Sequence, residues 1–244
     1  MKTTQTTPNY VVFDDTLSDS MEPLHDYVRR MPLRSPHAHS YQRAWEIDDG
    51  TPMVGPPVYA LADRRRTVVP TRQTETLTFY PTRSPIDAVL SKLLRSAKRF
   101  EPWVGVKGED WIGISARLAV YPANSGLAWH DDVGPYCGAF NLYIHPRWDF
   151  DWGGELMFLD GSASKRRRHA IPEPTRRSDP LRGRTLHPRE YTRSAGSFVV
   201  PVPNRLVILS SGTTHRVGRV RPAAGRIPRI AVSGFFIRPG QGLA

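Results

Sequence analysis

The chain has 244 residues, of which 39% are hydrophobic and 10% aromatic, so it can build a full-sized core and is too apolar for a disordered protein. The formal net charge of +11 suggests nucleic-acid binding, but ten basic residues against three acidic ones between Lys165 and Arg193 supply most of it. With Cys137 as its only cysteine, no apolar leader at the N-terminus and no membrane-length apolar run, the sequence predicts a cytoplasmic protein with no membrane partner.

The N-terminal part, residues 1–110, is predicted to be irregular and helical. Its first 80 residues are rich in proline and turn formers, with one short helix from Met21 to Met31 that Pro32 would end. A stronger helix is predicted to begin at Ser84-Pro85-Ile86-Asp87, where a capping hydroxyl, a proline in the first turn and an acidic residue occur together. Apolar residues then recur at helical spacing, at Ile86, Val89, Leu90, Leu93 and Leu94.

From Trp111 onward the hydrophobic period changes from helical to alternating, which predicts a strand through Tyr121. Further strands are predicted at Gly138 to Ile144, Glu155 to Leu159, Ser197 to Val200, Arg205 to Leu209, His215 to Val220 and Arg229 to Ile237. Short strands separated by turn residues are typical of a jelly roll. We therefore predict one α+β, mainly β domain over residues 1–244, with a β-rich part at 111–237 and a basic insertion at about 161–194.

His130 and Asp132 follow the strand and turn that the sequence predicts from Arg117 to Trp129. Side chains two residues apart on an extended segment point the same way, so these two can address one point while Asp131 faces away. His215, at the start of a later strand, is the best candidate for a third ligand. Two imidazoles and a carboxylate on one face of Fe(II) leave open positions for substrates. The other histidines are interpreted as surface residues: His25, His37, His39, His145, His169 and His187.

Four sequence blocks, in order, extend this pattern: Tyr121-Pro122-Ala123-Asn124-Ser125-Gly126-Leu127-Ala128-Trp129-His130-Asp131-Asp132; Asn141-Leu142-Tyr143-Ile144 with Trp148 and Gly153-Gly154-Glu155-Leu156; Pro203-Asn204-Arg205-Leu206-Val207; and His215-Arg216-Val217 with Arg229-Ile230-Ala231-Val232-Ser233-Gly234-Phe235-Phe236. Together they resemble the prolyl-hydroxylase-like 2-oxoglutarate/Fe(II)-dependent dioxygenases. The resemblance covers roughly Trp111 to Ile237 and implies a double-stranded β-helix (jelly-roll, cupin-like) core with the N-terminal helices packed on it.

The resemblance also implies Fe(II), with 2-oxoglutarate and O2 as co-substrates, and a buried cation for the far carboxylate of 2-oxoglutarate. Arg229 opens a strand at the family's position for that cation, whereas Arg226 lies in the preceding turn, so we favour Arg229. Tyr121 and Tyr143 match positions that hydrogen-bond the co-substrate, and alternation places Ser233 on the face of Arg229. The long link between His215 and Arg229 departs from the family pattern.

Alternation from Tyr121 places Arg117 inside the barrel as well, and Asn141 beside Tyr143. A cation in a barrel interior is costly without an anionic partner, so Arg117 suggests a substrate carboxylate or a structural acid. Trp148 is a further candidate for the substrate pocket, although aromatic residues at strand ends commonly pack the core.

The implied reaction is oxidation of an unactivated C–H bond, coupled to conversion of 2-oxoglutarate to succinate and CO2. Asp132 argues against halogenation, because the family's halogenases carry a small residue there, while desaturation, epoxidation and ring closure stay open. The favoured substrate is a small molecule, such as an amino acid or a biosynthetic intermediate of specialised metabolism. The alternatives are a protein or peptide side chain and, least favoured, a nucleic-acid-binding role for Lys165-Arg166-Arg167-Arg168, which lacks interleaved aromatics. The oligomeric state is not predicted.

Overall fold

The computed structural model describes residues 1–18, 21–35, 45–47 (backbone only), 50–62, 77–160 and 195–240. The predicted insertion at 161–194 lies outside these residues. The strands are β1 (Lys2–Thr6), β2 (Tyr10–Asp14), β3 (Trp45–Ile47), β4 (Met53–Val54), β5 (Val58–Leu61), β6 (Thr78–Phe79), β7 (Gly113–Tyr121), β8 (Ser125–His130), β9 (Tyr136–Tyr143), β10 (Leu156–Asp160), β11 (Ala195–Val199), β12 (Leu206–Ser210), β13 (His215–Val217) and β14 (Arg229–Ile237). The helices are α1 (Glu22–Arg30), α2 (Ile86–Arg95) and α3 (Glu101–Val104).

Two sheets carry these strands. The larger sheet has the order β1-β2-β12-β9-β14-β7-β5-β6, with β4 also paired to β7, and the smaller has the order β11-β10-β13-β8-β3. From β7 onward the chain crosses between them: β7, β9, β12 and β14 belong to the larger sheet, and β8, β10, β11 and β13 to the smaller. Eight strands distributed in this way form a double-stranded β-helix, so the predicted jelly-roll core is confirmed.

Alternating side chains along β7 separate the two faces of the larger sheet. Ala119 and Tyr121 pack between the sheets with residues of β10, β12 and β13. The intervening apolar residues of β7 instead join the layer of helices on the outer face: Ile114, Ala116, Leu118 and Val120. The alternation read from the sequence is confirmed, and it fixes which residues can face a site inside the barrel.

Helix α2 packs on the outer face of the larger sheet, as predicted. Its buried residues are Ile86, Val89, Leu90 and Leu93, and burial of each such side chain contributes about 2 kcal/mol. The predicted Ser84 cap is wrong, because no side chain caps this helix. Instead, the Asp87 carboxylate accepts hydrogen bonds from the backbone N–H groups of Thr82 and Arg83, at 3.0 and 2.8 Å. Within the described residues, no helix is both long and apolar enough to span a bilayer.

The prediction of mostly irregular chain in the first 80 residues is wrong, since β1 to β6 lie there. Strand β2 extends the larger sheet beyond β12, and its residues are buried on both faces. Val11 and Phe13 pack towards the helices, while Tyr10 and Val12 pack between the sheets. The N-terminal segment therefore completes the barrel wall.

Strand β14 has the predicted bounds, and most other predicted strands differ by a few residues at their ends. Strand β8 was missed, because its sequence Ser125-Gly126-Leu127-Ala128-Trp129-His130 has no clear alternation and was read as a turn. It pairs with β13 on one side and β3 on the other. This strand matters for function, because it ends at His130.

Candidate metal and co-substrate site

The two predicted histidine ligands lie on neighbouring strands of the smaller sheet. His130 ends β8 and His215 begins β13, and the two are directly opposite each other in the antiparallel pair. Their rings are 4.2 Å apart between centroids. Asp132 follows two residues after the end of β8. The fold thus brings together residues from distant parts of the sequence at one end of this strand pair.

The ligand atoms of these three residues converge. Nε2 of His130 lies 3.9 Å from Oδ1 of Asp132, and Nε2 of His215 lies 3.5 Å from Oδ2 of the same carboxylate. All three ligand atoms lie within 4.8 Å of one another, a spacing that one ion bound to all three would give. Asp131 is buried but is not a member of this cluster.

Backbone carbonyl groups fix the orientation of both imidazoles. Nδ1 of His130 is 2.7 Å from the carbonyl oxygen of Ala128, and Nδ1 of His215 is 2.8 Å from that of Thr213. A carbonyl can only accept, so each ring donates from Nδ1, and each Nε2 is left on the side of the Asp132 carboxylate. This carbonyl-to-imidazole arrangement is typical of metal-binding histidines.

Burial favours the neutral form that metal binding requires. The pKa of His215 is lowered from 6.5 to about 4, chiefly by burial and then by the neighbouring His130, against the opposing influence of Asp132 and of the hydrogen bond to Thr213. Asp132 is the most exposed of the three, with 20% of its side chain accessible. The cluster therefore opens towards solvent on the carboxylate side.

Arg229 occupies the barrel interior, directly opposite Tyr121 on the neighbouring strand β7. Its guanidinium carbon lies 5.0 Å from the ring centroid of Tyr121 and 4.8 Å from that of Tyr143 on β9. Arg229 is completely buried. Arg226, the rival candidate, is exposed. A solvent-shielded pocket lined by one cation and two phenols results.

Two of the residues that line this pocket have polar atoms with no hydrogen bond to any described residue. Within the described residues, Nε, Nη1 and Nη2 of Arg229 and the hydroxyl of Tyr143 are buried without a hydrogen bond. The Arg229 guanidinium and the Tyr143 hydroxyl are close enough for the arginine to oppose the rise in the pKa of Tyr143. A buried guanidinium without a partner is costly, and its planar donors match a carboxylate. The pocket therefore fits the far carboxylate of 2-oxoglutarate.

Both phenols are neutral hydrogen-bond donors. Burial raises the pKa of Tyr121 to about 12, although Arg229 and Arg117 lie near enough to oppose the rise. Burial likewise raises the pKa of Tyr143, with Arg229 the main opposing influence. Neutral hydroxyls beside a cation add donors for an anion without adding a competing negative charge.

A second polar row crosses the interior face of the larger sheet. Ser233 on β14 lies opposite Arg117 on β7 and Asn141 on β9, and its hydroxyl is 2.7 Å from Oδ1 of Asn141. Ser233 is thus engaged by Asn141 rather than by Arg229. Arg117 is only partly buried. The polar row spans β7, β14 and β9, and the next positions in register are Val207 on β12 and Val12 on β2.

Trp148 lies against the wall of the co-substrate pocket. Its indole N–H donates to the carbonyl of Gly153 at 3.0 Å. The adjacent Gly154 has a positive φ of 70°, and a Cβ placed there would lie 2.9 Å from Cδ of Arg229 and 3.2 Å from Cζ2 of Trp148. Gly154 therefore allows the arginine and the indole to approach each other.

The surface interpretation of His145 is wrong, because this residue is completely buried. It lies two residues beyond the end of β9, so the alternation that placed Asn141 and Tyr143 inside also pointed to it. Its ring packs on Trp148, with 4.7 Å between the ring centroids. Of the other histidines interpreted as surface residues, His25 is partly buried, and His37, His39, His169 and His187 lie outside the described residues.

The sequence matches the model of the 2OG-Fe(II) oxygenase superfamily over residues 116–237, half of the chain. The protein therefore belongs to this superfamily and is a 2-oxoglutarate-dependent non-haem iron dioxygenase, with Fe(II) as its metal and 2-oxoglutarate and O2 as co-substrates. No curated protein matches the sequence.

Solved structures with this fold are only distantly related in sequence. A prolyl-4-hydroxylase from Pseudomonas putida is similar with a TM-score of 0.56 and 15% identity, over 95% of this chain and 94% of that one. HygX from Streptomyces hygroscopicus, with nickel, 2-oxoglutarate and hygromycin B bound, has a TM-score of 0.54 and 12% identity, over 96% and 84%. An oxidoreductase of the 2OG-Fe(II) oxygenase family from Burkholderia pseudomallei has a TM-score of 0.52 and 14% identity, over 96% and 86%.

Proposed function

We propose that this protein oxidises an unactivated C–H bond of a small molecule, with hydroxylation as the principal outcome. His130, Asp132 and His215 hold Fe(II), and Arg229 binds the far carboxylate of 2-oxoglutarate with help from the hydroxyls of Tyr121 and Tyr143. The single observation that carries this assignment is the fully buried guanidinium of Arg229, which has no hydrogen-bond partner among the described residues.

The bound metal and co-substrates supply the oxidising chemistry: 2-oxoglutarate is converted to succinate and CO2 as one oxygen atom of O2 is transferred to the substrate. The protein orients these groups and excludes water. The Ala128 and Thr213 carbonyls hold Nε2 of each histidine towards the metal position, while Arg229 neutralises the co-substrate's charge in a dry pocket. The carboxylate of Asp132 occupies a ligand position, which supports oxygenation over halogenation.

The polar row across the larger sheet supports a polar, anionic small molecule as the substrate. Arg117 is a cation that faces the barrel interior from β7. It lies opposite Ser233 on β14, and Asn141 lies on the far side of β14, on β9. We assign Arg117 and Asn141, with Trp148 at the pocket wall, to substrate binding. HygX, solved with hygromycin B bound, is an example of this fold with a small molecule in addition to 2-oxoglutarate. A peptide substrate is the alternative outcome of the tests below.

The metal assignment is tested by measuring succinate formed from 2-oxoglutarate with and without O2 and Fe(II). We expect Asp132→Ala to lower Fe(II) affinity and succinate formation by about 100-fold or more, because one of three protein ligands is lost. Asp151→Ala, which removes an exposed acidic side chain, is the control and keeps full activity. Undiminished succinate formation by Asp132→Ala would overturn the assignment of the metal site.

The substrate class is tested by mass spectrometry on mixtures of small carboxylic acids and on peptide libraries, with a gain of one oxygen atom as the readout. We expect Arg117→Met to raise KM for the small-molecule substrate by about tenfold to 100-fold, since one charge-assisted contact is lost. The KM for 2-oxoglutarate should be unchanged. Oxidation of peptides alone, or a substrate KM unaffected by Arg117→Met, would contradict the small-molecule assignment.

A further inference from the structure

His145 joins three segments of the chain behind the co-substrate pocket. Its Nε2 lies within hydrogen-bond distance of the carbonyl oxygen of Pro201, in the link between β11 and β12. Its Nδ1 lies 3.2 Å from the backbone nitrogen of Ile230, the second residue of β14. The ring is completely buried. One imidazole thus connects the end of β9, the β11–β12 link and the start of β14.

The two hydrogen bonds define one form of the ring. The Pro201 carbonyl can only accept, so Nε2 carries the proton and donates. Nδ1 then has a lone pair that accepts from the N–H of Ile230. The Ile230 carbonyl is also 3.2 Å away but already accepts from the N–H of Ile144 at 2.9 Å. A neutral imidazole offers one donor and one acceptor, and both are used here.

The contacts of His145 lead directly to Arg229. Ile230, whose N–H is held by Nδ1, is covalently next to Arg229, the residue that opens β14. On the other side, the imidazole packs on Trp148, and Trp148 and Arg229 both border the space beside Gly154. His145 therefore supports Arg229 in two ways: through the backbone at Ile230, and through Trp148, which lies beside the Arg229 side chain.

The charge state of this histidine agrees with the hydrogen bonds. The pKa of His145 is lowered to about 4, chiefly by burial; the backbone contacts with Pro201 and Ile230 oppose the shift, and the positive charge of Arg229 adds to it. The ring is therefore neutral around pH 7 and adds no second cation beside the guanidinium.

We propose that His145 is a positioning residue for 2-oxoglutarate: through Ile230 and Trp148 it holds the Arg229 guanidinium where the far carboxylate binds, without contacting the co-substrate itself. This inference rests on the proposed role of Arg229. It goes further by assigning control of co-substrate affinity to a side chain outside the pocket. Supporting groups of this kind hold a binding side chain in its productive geometry.

Three variants separate the two hydrogen bonds of the ring. His145→Asn can keep an acceptor near the position of Nδ1 for the Ile230 N–H, and His145→Gln can keep a donor near Nε2 for the Pro201 carbonyl. His145→Leu keeps neither. The hydrogen bond to the Ile230 N–H is the one next to Arg229. We therefore expect His145→Asn to retain 2-oxoglutarate affinity best and His145→Leu to retain it least.

The direct measurement is 2-oxoglutarate affinity by anaerobic calorimetry on the Mn(II)-loaded full chain. We expect His145→Leu to weaken binding by about tenfold to 100-fold, and His145→Asn to stay within about threefold of wild type. In steady-state assays KM for 2-oxoglutarate should rise while kcat changes little. If His145→Leu does not fold, the Asn and Gln variants decide between the outcomes, since each keeps one hydrogen bond.

Variants that lose thermal stability but bind 2-oxoglutarate like wild type would overturn the inference and leave His145 a purely structural residue. Equal weakening by Asn and Gln would also overturn it, because the Ile230 bond would then have no special role. These results differ from a failure of the proposed function, in which wild type itself does not bind 2-oxoglutarate or Arg229→Met binds it unchanged.

Discussion

Two arginines of the larger sheet, one just before β12 and one at the start of β14, have opposite environments. Arg205, just before β12, donates from Nε and Nη2 to the two carboxylate oxygens of Asp14 at 2.7 and 3.0 Å, and from Nη1 to the Val200 carbonyl at 3.0 Å. Arg229, at the start of β14, is more deeply buried, yet its guanidinium has no hydrogen bond within the described residues. The first pair fastens β2 to the sheet, whereas the second arginine is available to a ligand.

This difference has an energetic meaning. The guanidinium of Arg205 is paired with the carboxylate of Asp14 in the same chain, so this charge contributes to the stability of the folded protein. The guanidinium of Arg229 is desolvated with no counter-charge among the described residues, which costs several kcal/mol that a bound anion would offset. A folded protein retains such a group where a ligand is bound. The partly buried Arg205, which has a carboxylate partner, supports the fold, whereas the fully buried Arg229 is available to bind a ligand.

The largest effect is expected from the same substitution at both arginines. Arg229→Met should weaken 2-oxoglutarate binding by roughly 100-fold to 1,000-fold, as expected for loss of a buried ion pair to the ligand. The free energy of unfolding of the ligand-free protein should be unchanged or raised, because a desolvated charge is removed. Calorimetry and denaturant unfolding measure the two quantities.

Arg205→Met is the matched control and should show the reverse. It leaves Asp14 without its partner and should lower the free energy of unfolding by about 2 kcal/mol, with unchanged 2-oxoglutarate affinity. In wild type and Arg205→Met, added 2-oxoglutarate should raise Tm by mass action. A similar loss of affinity in both variants would remove the distinction between the two arginines.

A smaller effect is expected from His145, the titratable neighbour of Arg229. Its pKa is lowered from 6.5 to about 4 in the folded protein, so between these values the unfolded chain binds a proton that the folded chain does not. The free energy of unfolding should therefore fall as pH decreases through this window, by roughly 3 kcal/mol at most, with no further contribution below it.

The measurement is denaturant unfolding of the metal-free protein at a series of pH values, comparing wild type with His145→Asn. Arg229 and His25 are the charged or titratable groups that influence the pKa of His145, and the Tyr143 ring is a neighbour at 6.0 Å between centroids; all three residues are kept in the variant. The pH dependence should be flatter in His145→Asn by up to one proton. An identical slope in both proteins would mean that His145 is already protonated in the fold or that it titrates normally.

The sequence predicted the barrel strands where alternation is regular. Strand β14 has the predicted bounds, because Arg229–Ile237 alternates between the interior and the helical layer along its whole length. Strand β8 was missed because Gly126 and Ala128 weaken its alternation. Strand β2 was missed for a different reason: Tyr10–Asp14 is apolar on both faces, as expected of a strand covered on both sides.

The members of the candidate site were predictable from local spacing and family resemblance, but their environments were not. The pair of His130 and Asp132 follows from their separation by two residues, His215 from its place at the start of a later strand, and Arg229 from its strand placement together with the resemblance. The state of Arg229 depends on what surrounds it in three dimensions. The burial of His145 depends on Pro201 and Ile230, which are 56 and 85 residues away along the chain. Such long-range contacts leave no periodic signal.

The smallest effect on 2-oxoglutarate binding is expected from Gly154→Ala. Comparison with a second glycine distinguishes backbone strain from displacement of Arg229. An alanine at position 154 needs a positive φ, and its Cβ would lie 2.9 Å from Cδ of Arg229. Gly225 also has a positive φ, of 59°, but a Cβ built at Gly225 would have no atom within 4 Å. Gly154→Ala and Gly225→Ala should each lower the free energy of unfolding by about 1 kcal/mol through backbone strain. Only Gly154→Ala should weaken 2-oxoglutarate binding, by roughly tenfold, since the buried guanidinium must move. Equal affinities in the two variants would show that Arg229 accommodates the methyl group without leaving its carboxylate-binding position.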